Sequence, residues 1–135
     1  MQSKVNLYNT FKNILVVDDE ENARTGMSRL LAAEGFDVQS AGDGYEALEY
    51  LRSGSFRLVI SDLNMPNLDG IDFLQIVRRE FPEINIIILT AAGGTGSYLQ
   101  AMNLGVAEYL CKPIKFDALK SVMYSIARRE AQKSD

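Results

Sequence analysis

The chain has no histidine and only one cysteine, Cys111, in 135 residues. Without an imidazole it can hold no His-ligated zinc, no Ser-His-Asp or Cys-His nucleophile and no phosphohistidine of its own. One thiol allows no internal disulfide and points to a reducing compartment. Positive charge is in deficit: 14 Lys and Arg against 18 Asp and Glu leave a net charge of −4. That is the wrong sign for a non-specific binder of nucleic acid or anionic membrane. No run of about 18 apolar residues is present, and the N-terminus lacks a signal-peptide pattern. What remains is 47% hydrophobic and 24% charged, the balance of one folded domain with a real core. The expectation is an acidic, cytoplasmic, single-domain protein with no membrane insertion and no direct contact with nucleic acid.

Along the chain, short apolar runs alternate with helical patterns. Residues 1–10 show no period and read as a loose arm or a short added turn. Unbroken runs at Asn13–Val17, Leu58–Ser61 and Asn85–Thr90 read as strands buried on both faces. Weaker runs lie at Asp37–Ser40 and Glu108–Cys111. Helical spacing groups Ala23, Met27, Leu30 and Leu31 within 22–34, then Ala47, Leu48 and Leu51 within 45–52. It continues with Ile71, Leu74 and Val77 within 69–80, and Tyr98, Leu99 and Met102 within 97–103. The last group is Phe116, Leu119, Val122, Met123 and Ile126 within 115–129. Gly35 and Gly105 stand as stop signals. Five strand–helix repeats imply a parallel sheet with helices on both faces.

In such sheets, sites form beyond the carboxyl ends of the strands. Asp18 and Asp19 follow the first strand, Asp62 the third, and Lys112-Pro113 the fifth, while Thr90 closes the fourth. Each alone is ordinary: a carboxylate caps a turn or a helix, and threonine favours strands. Their joint appearance, each at the end of the appropriate strand, is much harder to explain as turn chemistry. Two like charges about 4 Å apart repel by roughly 4 kcal/mol at an effective dielectric of 20. Three clustered carboxylates therefore call for compensation. Lys112 supplies one positive charge and a divalent cation would supply two. Oxygen donors without histidine or thiolate favour a hard ion, Mg²⁺ first, and Mg²⁺ typically bridges to phosphate.

The segments ILVVDDE (Ile14–Glu20), VISDLNMPNLDG (Val59–Gly70), IIILTA (Ile86–Ala91) and YLCKP (Tyr109–Pro113), in this order and spacing, resemble the receiver domain of two-component response regulators. The likeness is to the small chemotaxis-type members. It implies a flavodoxin-like, doubly wound five-stranded α/β sheet of strand order 2-1-3-4-5. An arm (1–11), a receiver domain (12–130) and a tail (131–135) would divide the chain.

The resemblance further implies that Asp62 accepts a phosphoryl group from a histidine kinase or phosphotransfer protein. Asp19 and Asp62 would ligate Mg²⁺ directly, with the backbone carbonyl of Asn64 and with Asp18 acting mainly through water. Lys112 would pair with a phosphoryl oxygen, Thr90 would hydrogen-bond the group once it arrives, and Tyr109 would be the aromatic switch. The surface of the 97–103 helix, the 108–111 strand and the 115–129 helix would then change for a downstream protein, or for a phosphorylation-dependent dimer. Catalysis would be confined to self-phosphorylation and self-dephosphorylation. The pattern ends near Arg129, so the expected output is through the chain's own surface.

Two local features stand apart. The glycines at 93, 94 and 96 suggest a mobile switch loop or a plain flexible turn. Ala92, with Asn64, is expected to give a moderate phosphoryl lifetime. Three competing readings are weaker. A flavin binder is opposed by the acidic loop 18–21, which would repel phosphate. A Mg²⁺-dependent phosphatase usually has two aspartates one residue apart, whereas Asp18 and Asp19 are adjacent. A non-phosphorylated interaction module would have had no reason to keep all five polar residues.

Overall fold

The computed structural model describes residues 6–64, 67–91 and 95–133, so Met65, Pro66, Ala92 and the glycines at 93 and 94 lie outside the described residues. Five strands, β1 (Asn13–Val17), β2 (Asp37–Ala41), β3 (Leu58–Asp62), β4 (Asn85–Thr90) and β5 (Glu108–Cys111), form one sheet in the order β2-β1-β3-β4-β5. All pairings are parallel. Between them run α2 (Glu21–Ala33), α3 (Gly44–Ser53), α4 (Gly70–Glu80) and α5 (Thr95–Asn103); α1 (Leu7–Thr10) precedes the sheet and α6 (Phe116–Lys133) closes the chain.

Side chains alternate across each strand, so the sheet sorts its apolar residues into two cores. Leu15, Val17, Val59, Ile86 and Ile88 pack under α3, α4 and α5. Ile14, Val16, Leu58, Ile60, Ile87 and Leu89 pack under α1, α2 and α6. The central strands β1, β3 and β4 are covered on both sides, as their unbroken apolar runs require. Edge strand β2 buries only its last residue, Ala41, and half-buries Val38 and Ser40.

Helix starts follow side-chain capping. Glu20 accepts from the backbone N–H groups of Asn22 and Ala23. Asp43 accepts from Glu46 N–H, while the Glu46 carboxylate reaches back to Gly42 N–H, two donors satisfied reciprocally. Asp69 caps α4 through Ile71 N–H. Gly35, at φ 102°, ends α2 in the left-handed region that glycine enters without strain.

Of the two readings of the N-terminal segment, the short added turn is what forms: residues 6–11 are one helical turn that packs on α6, with Leu7 and Phe11 inside the core. The structure departs from the sequence pattern in two places. Helix α6 runs on to Lys133 because its last turn is polar and carries a Lys133–Glu130 pair at 3.7 Å, which apolar periodicity does not register. Leu30, grouped by spacing with Leu31, is 48% exposed.

Candidate functional site

The carboxyl ends of β1, β3, β4 and β5 meet at one edge of the sheet. Asp18 directly follows β1, Asp62 and Thr90 are the last residues of β3 and β4, and Lys112 follows β5. Backbone hydrogen bonds lock these ends together: Asp18 N–H donates to Ala41 C=O at 3.1 Å, and Lys112 N–H to Thr90 C=O at 2.7 Å. The Lys112–Pro113 bond is cis. Asp18, Asp62 and Thr90 are buried, and Asp19 and Asn64 are exposed.

Lys112 Nζ donates to Asp18 Oδ2 and to Asp62 Oδ2, both at 2.9 Å. The other oxygens accept from the chain: Asp18 Oδ1 from Glu20 N–H and Asp62 Oδ1 from Asn64 N–H, again at 2.9 Å each. Each buried carboxylate is thus held at both oxygens, so its orientation is fixed. Burial pulls the Lys112 ammonium toward deprotonation. The hydrogen bonds and charges of Asp18 and Asp62 outweigh it, and its pKa ends above the ordinary lysine value.

Oxygen atoms of Asp18, Asp19 and Asp62 lie within 4.8 Å of one another. Three carboxylates and one ammonium leave a formal charge of −2, which one divalent ion balances. The all-oxygen donor set suits a hard cation such as Mg²⁺. A cavity of about 410 Å³ opens beside this cluster, with Ala23, Met27, Ile60, Leu89, Pro113 and Ile114 on its apolar walls.

Thr90 and Tyr109 are brought together as well: they share one face of the sheet on paired strands, with Tyr109 half-buried against the core under α3, α4 and α5. Burial raises the Tyr109 pKa, partly offset by the Thr90 hydroxyl, with a further rise from the neighbouring Cys111. Tyr98 of α5 stands edge-on to Tyr109, ring centroids 5.0 Å apart at 86°. Asp18, Asp19, Asp62, Asn64, Thr90 and Lys112 thus come together at this one edge with Tyr109 beside them, and Ala92 lies outside the described residues.

Two contributors carry no strong sequence signal. Arg24 donates from a terminal guanidinium nitrogen to the Asp18 carbonyl at 2.8 Å, one turn into α2, where spacing alone marks only an exposed cation. The Asn67 amide donates to Asp43 Oδ2 at 3.0 Å, tying the segment after Asp62 to the cap of α3. Asn67 takes φ 72°, a left-handed conformation asparagine tolerates better than most residues.

Comparison with known proteins agrees with this geometry. Residues 14–124 match the response regulator receiver domain family. The chain is 36% identical over 126 residues to the response regulator Rre1 of Synechocystis, covering 91% of this chain and 54% of that protein. Its backbone is similar to a response regulator receiver domain protein of Clostridium thermocellum, with TM-score 0.83 and 32% identity, covering 89% of this chain and 97% of that one. It is also similar to the Thermotoga maritima response regulator TrrA, solved in complex with Mg²⁺-BeF, with TM-score 0.74 and 38% identity, covering 82% and 94%. The chain spans between about a quarter and about half the length of the curated relatives it matches.

Proposed function

Because this chain belongs to the response regulator receiver domains of two-component signalling, we propose that Asp62 accepts a phosphoryl group from a phosphohistidine on a separate protein, a histidine kinase or a phosphotransfer protein. The observation that carries this reading is the Lys112 ammonium bonded at once to Asp18 and Asp62 at the mouth of an apolar cavity.

An oxygen of Asp62 attacks phosphorus in line, a P–O bond forms, the P–N bond breaks, and its electron pair leaves with the donor imidazole. The nucleophile is already a carboxylate, so no general base is needed. The rate then comes from positioning and from neutralised charge. Lys112 can exchange its bond to Asp62 for one to a phosphoryl oxygen, and the Thr90 hydroxyl can donate to another. Asp18, Asp19 and Asp62, with the Asn64 carbonyl, would hold Mg²⁺, which supplies charge neutralisation at the phosphoryl oxygens. The cavity offers the donor ring an apolar wall beside Asp62.

The acyl phosphate adds negative charge and strong acceptors. Its readout in this reading is the surface of α5, β5 and α6, where Tyr98, Leu99 and Met102 are exposed, offered to a downstream protein or a second copy of the chain. Turnover of other substrates is not part of the proposal. The net charge of −4 disfavours direct nucleic-acid contact. Among the described residues no helix is long and apolar enough to cross a membrane, and the single thiol fits a cytoplasmic setting.

The test is incubation with Mg²⁺ and acetyl phosphate, followed by intact-mass measurement. One added phosphoryl group is expected in the wild type and none in Asp62→Asn. A wild type that gains no mass sinks the proposal.

A further inference from the structure

Tyr109 sits on edge strand β5, with no further strand beside it among the described residues. Its side chain has staggered alternatives: one points inward to Thr90, and the others would point away from the sheet. In this structure it packs inward against the core under α3, α4 and α5, on the sheet face that Thr90 shares. The described aromatic contact to its ring is Tyr98, edge-on at 5.0 Å. Tyr98 is itself 44% exposed. A residue that only filled core would bury more of its ring, and a merely solvated one would not meet Tyr109 at this angle.

We infer that Tyr98 is a positioning residue for the switch: its ring braces Tyr109 against Thr90, so the unphosphorylated protein already populates the inward arrangement. This deepens the phosphoacceptor reading, and only its second consequence below rests on that reading.

The edge contact exists only while Tyr109 points inward, so it acts on one side of the equilibrium. An edge-to-face pair of this geometry shifts an inward-to-outward ratio by about two- to ten-fold. The contact is made by the ring, so the Tyr98 hydroxyl is dispensable. Phosphorylation then locks an arrangement that is already common instead of creating it. Loss of the brace lowers the competent fraction, and apparent reactivity falls with that fraction.

The experiment reads the Thr90 methyl signal by NMR in the unphosphorylated, metal-free protein, where the Tyr109 ring lies close enough to shift it. Tyr109→Ala sets the position of the signal without that ring. Tyr98→Phe is expected to leave the Thr90 methyl at its wild-type position. Tyr98→Ala and Tyr98→Leu are expected to move it toward the Tyr109→Ala position, and the leucine variant keeps apolar volume and helix propensity if alanine loosens α5. A Thr90 methyl unmoved in Tyr98→Leu overturns the inference. In a second arm, phosphorylation by acetyl phosphate with Mg²⁺ is expected to slow by about 1.5- to 5-fold in Tyr98→Leu, less than the shift in ratio because the inward form is already common, and not in Tyr98→Phe. Equal rates in the two variants count against the brace. A wild type that takes no phosphoryl group overturns the acceptor reading and leaves the NMR arm standing.

Discussion

Replacing Lys112 with methionine should weaken the metal-free protein and at the same time strengthen its hold on Mg²⁺. The ammonium lies 2.9 Å from an oxygen of each buried carboxylate, so it neutralises the charge that would otherwise attract a cation. Methionine keeps much of the apolar stem beside Leu89 and Ile114, which confines the perturbation to charge. Singly and doubly charged cations about 4 Å apart repel by about 2 kcal/mol in a water-like medium, and by several times more at an effective dielectric near 20. The Lys112 side chain keeps 30% of its surface in solvent, so the lower figure applies. Screening at roughly 0.15 M salt trims it toward 1.4 kcal/mol, about ten-fold in affinity. Without metal, the same substitution leaves two buried carboxylates unpaired. A fully enclosed pair would lose about 3–5 kcal/mol, and partial exposure brings the expectation to about 2 kcal/mol. Calorimetric titration of metal-stripped protein with Mg²⁺, and urea unfolding with and without the ion, read both quantities. Equal or weaker Mg²⁺ binding in a folded Lys112→Met variant refutes the idea that ammonium and cation compete for the charge of Asp18 and Asp62.

Two further perturbations probe the scaffold. Phe11 is fully buried in the core shared by α1, α2 and α6, so Phe11→Ala should cost about 3–5 kcal/mol in urea unfolding; a loss under about 1 kcal/mol would mean that the N-terminal turn is only an ornament. The Glu46 N–H and the Asn67 amide hold the Asp43 carboxyl below its ordinary value of 3.8, so its charge stabilises the folded state above that pH, and the contribution is lost as pH falls through the lower folded value. Asp43→Asn keeps the cap and removes the charge. The wild type should lead by about 0.5 kcal/mol at neutral pH, and the gap should close in urea titrations run below pH 3.8; a gap independent of pH would be inconsistent with this account.

The legibility of this molecule in its sequence follows its physics. Strands β1, β3 and β4 were readable because both their faces are covered, which writes the burial into consecutive residues. The polar residues Asp18, Asp62, Thr90 and Lys112 were readable because each follows or ends such a run. What escaped depends on contacts between one element and the next, which no period within an element records. Nothing near Phe11 repeats, so its place beneath α6 could not be seen before the sheet was built. Leu30 and Leu31 are equally apolar, yet only Leu31 is buried. Helix spacing places both near one face, and the curvature of packing chooses between them. The Tyr98–Tyr109 contact and the Arg24 bond to the Asp18 carbonyl join an α-helix to a neighbouring strand end, a relation that linear spacing does not encode.

The ammonium clamp also has a consequence for how the protein is made. Lys112 closes on Asp62 across 50 residues and on Asp18 across 94. Contacts so distant in the chain form late, after the loop-closure entropy between them has been met by nearer pairings. A nascent chain that has emerged only as far as β4 already carries Asp62, but not the cation that orients it. The acceptor is therefore completed only once β5, the last strand of the sheet in chain order, has left the ribosome. An unfinished or misfolded copy holds the nucleophile without the clamp, so competence to receive a signal doubles as a record that the whole domain has folded.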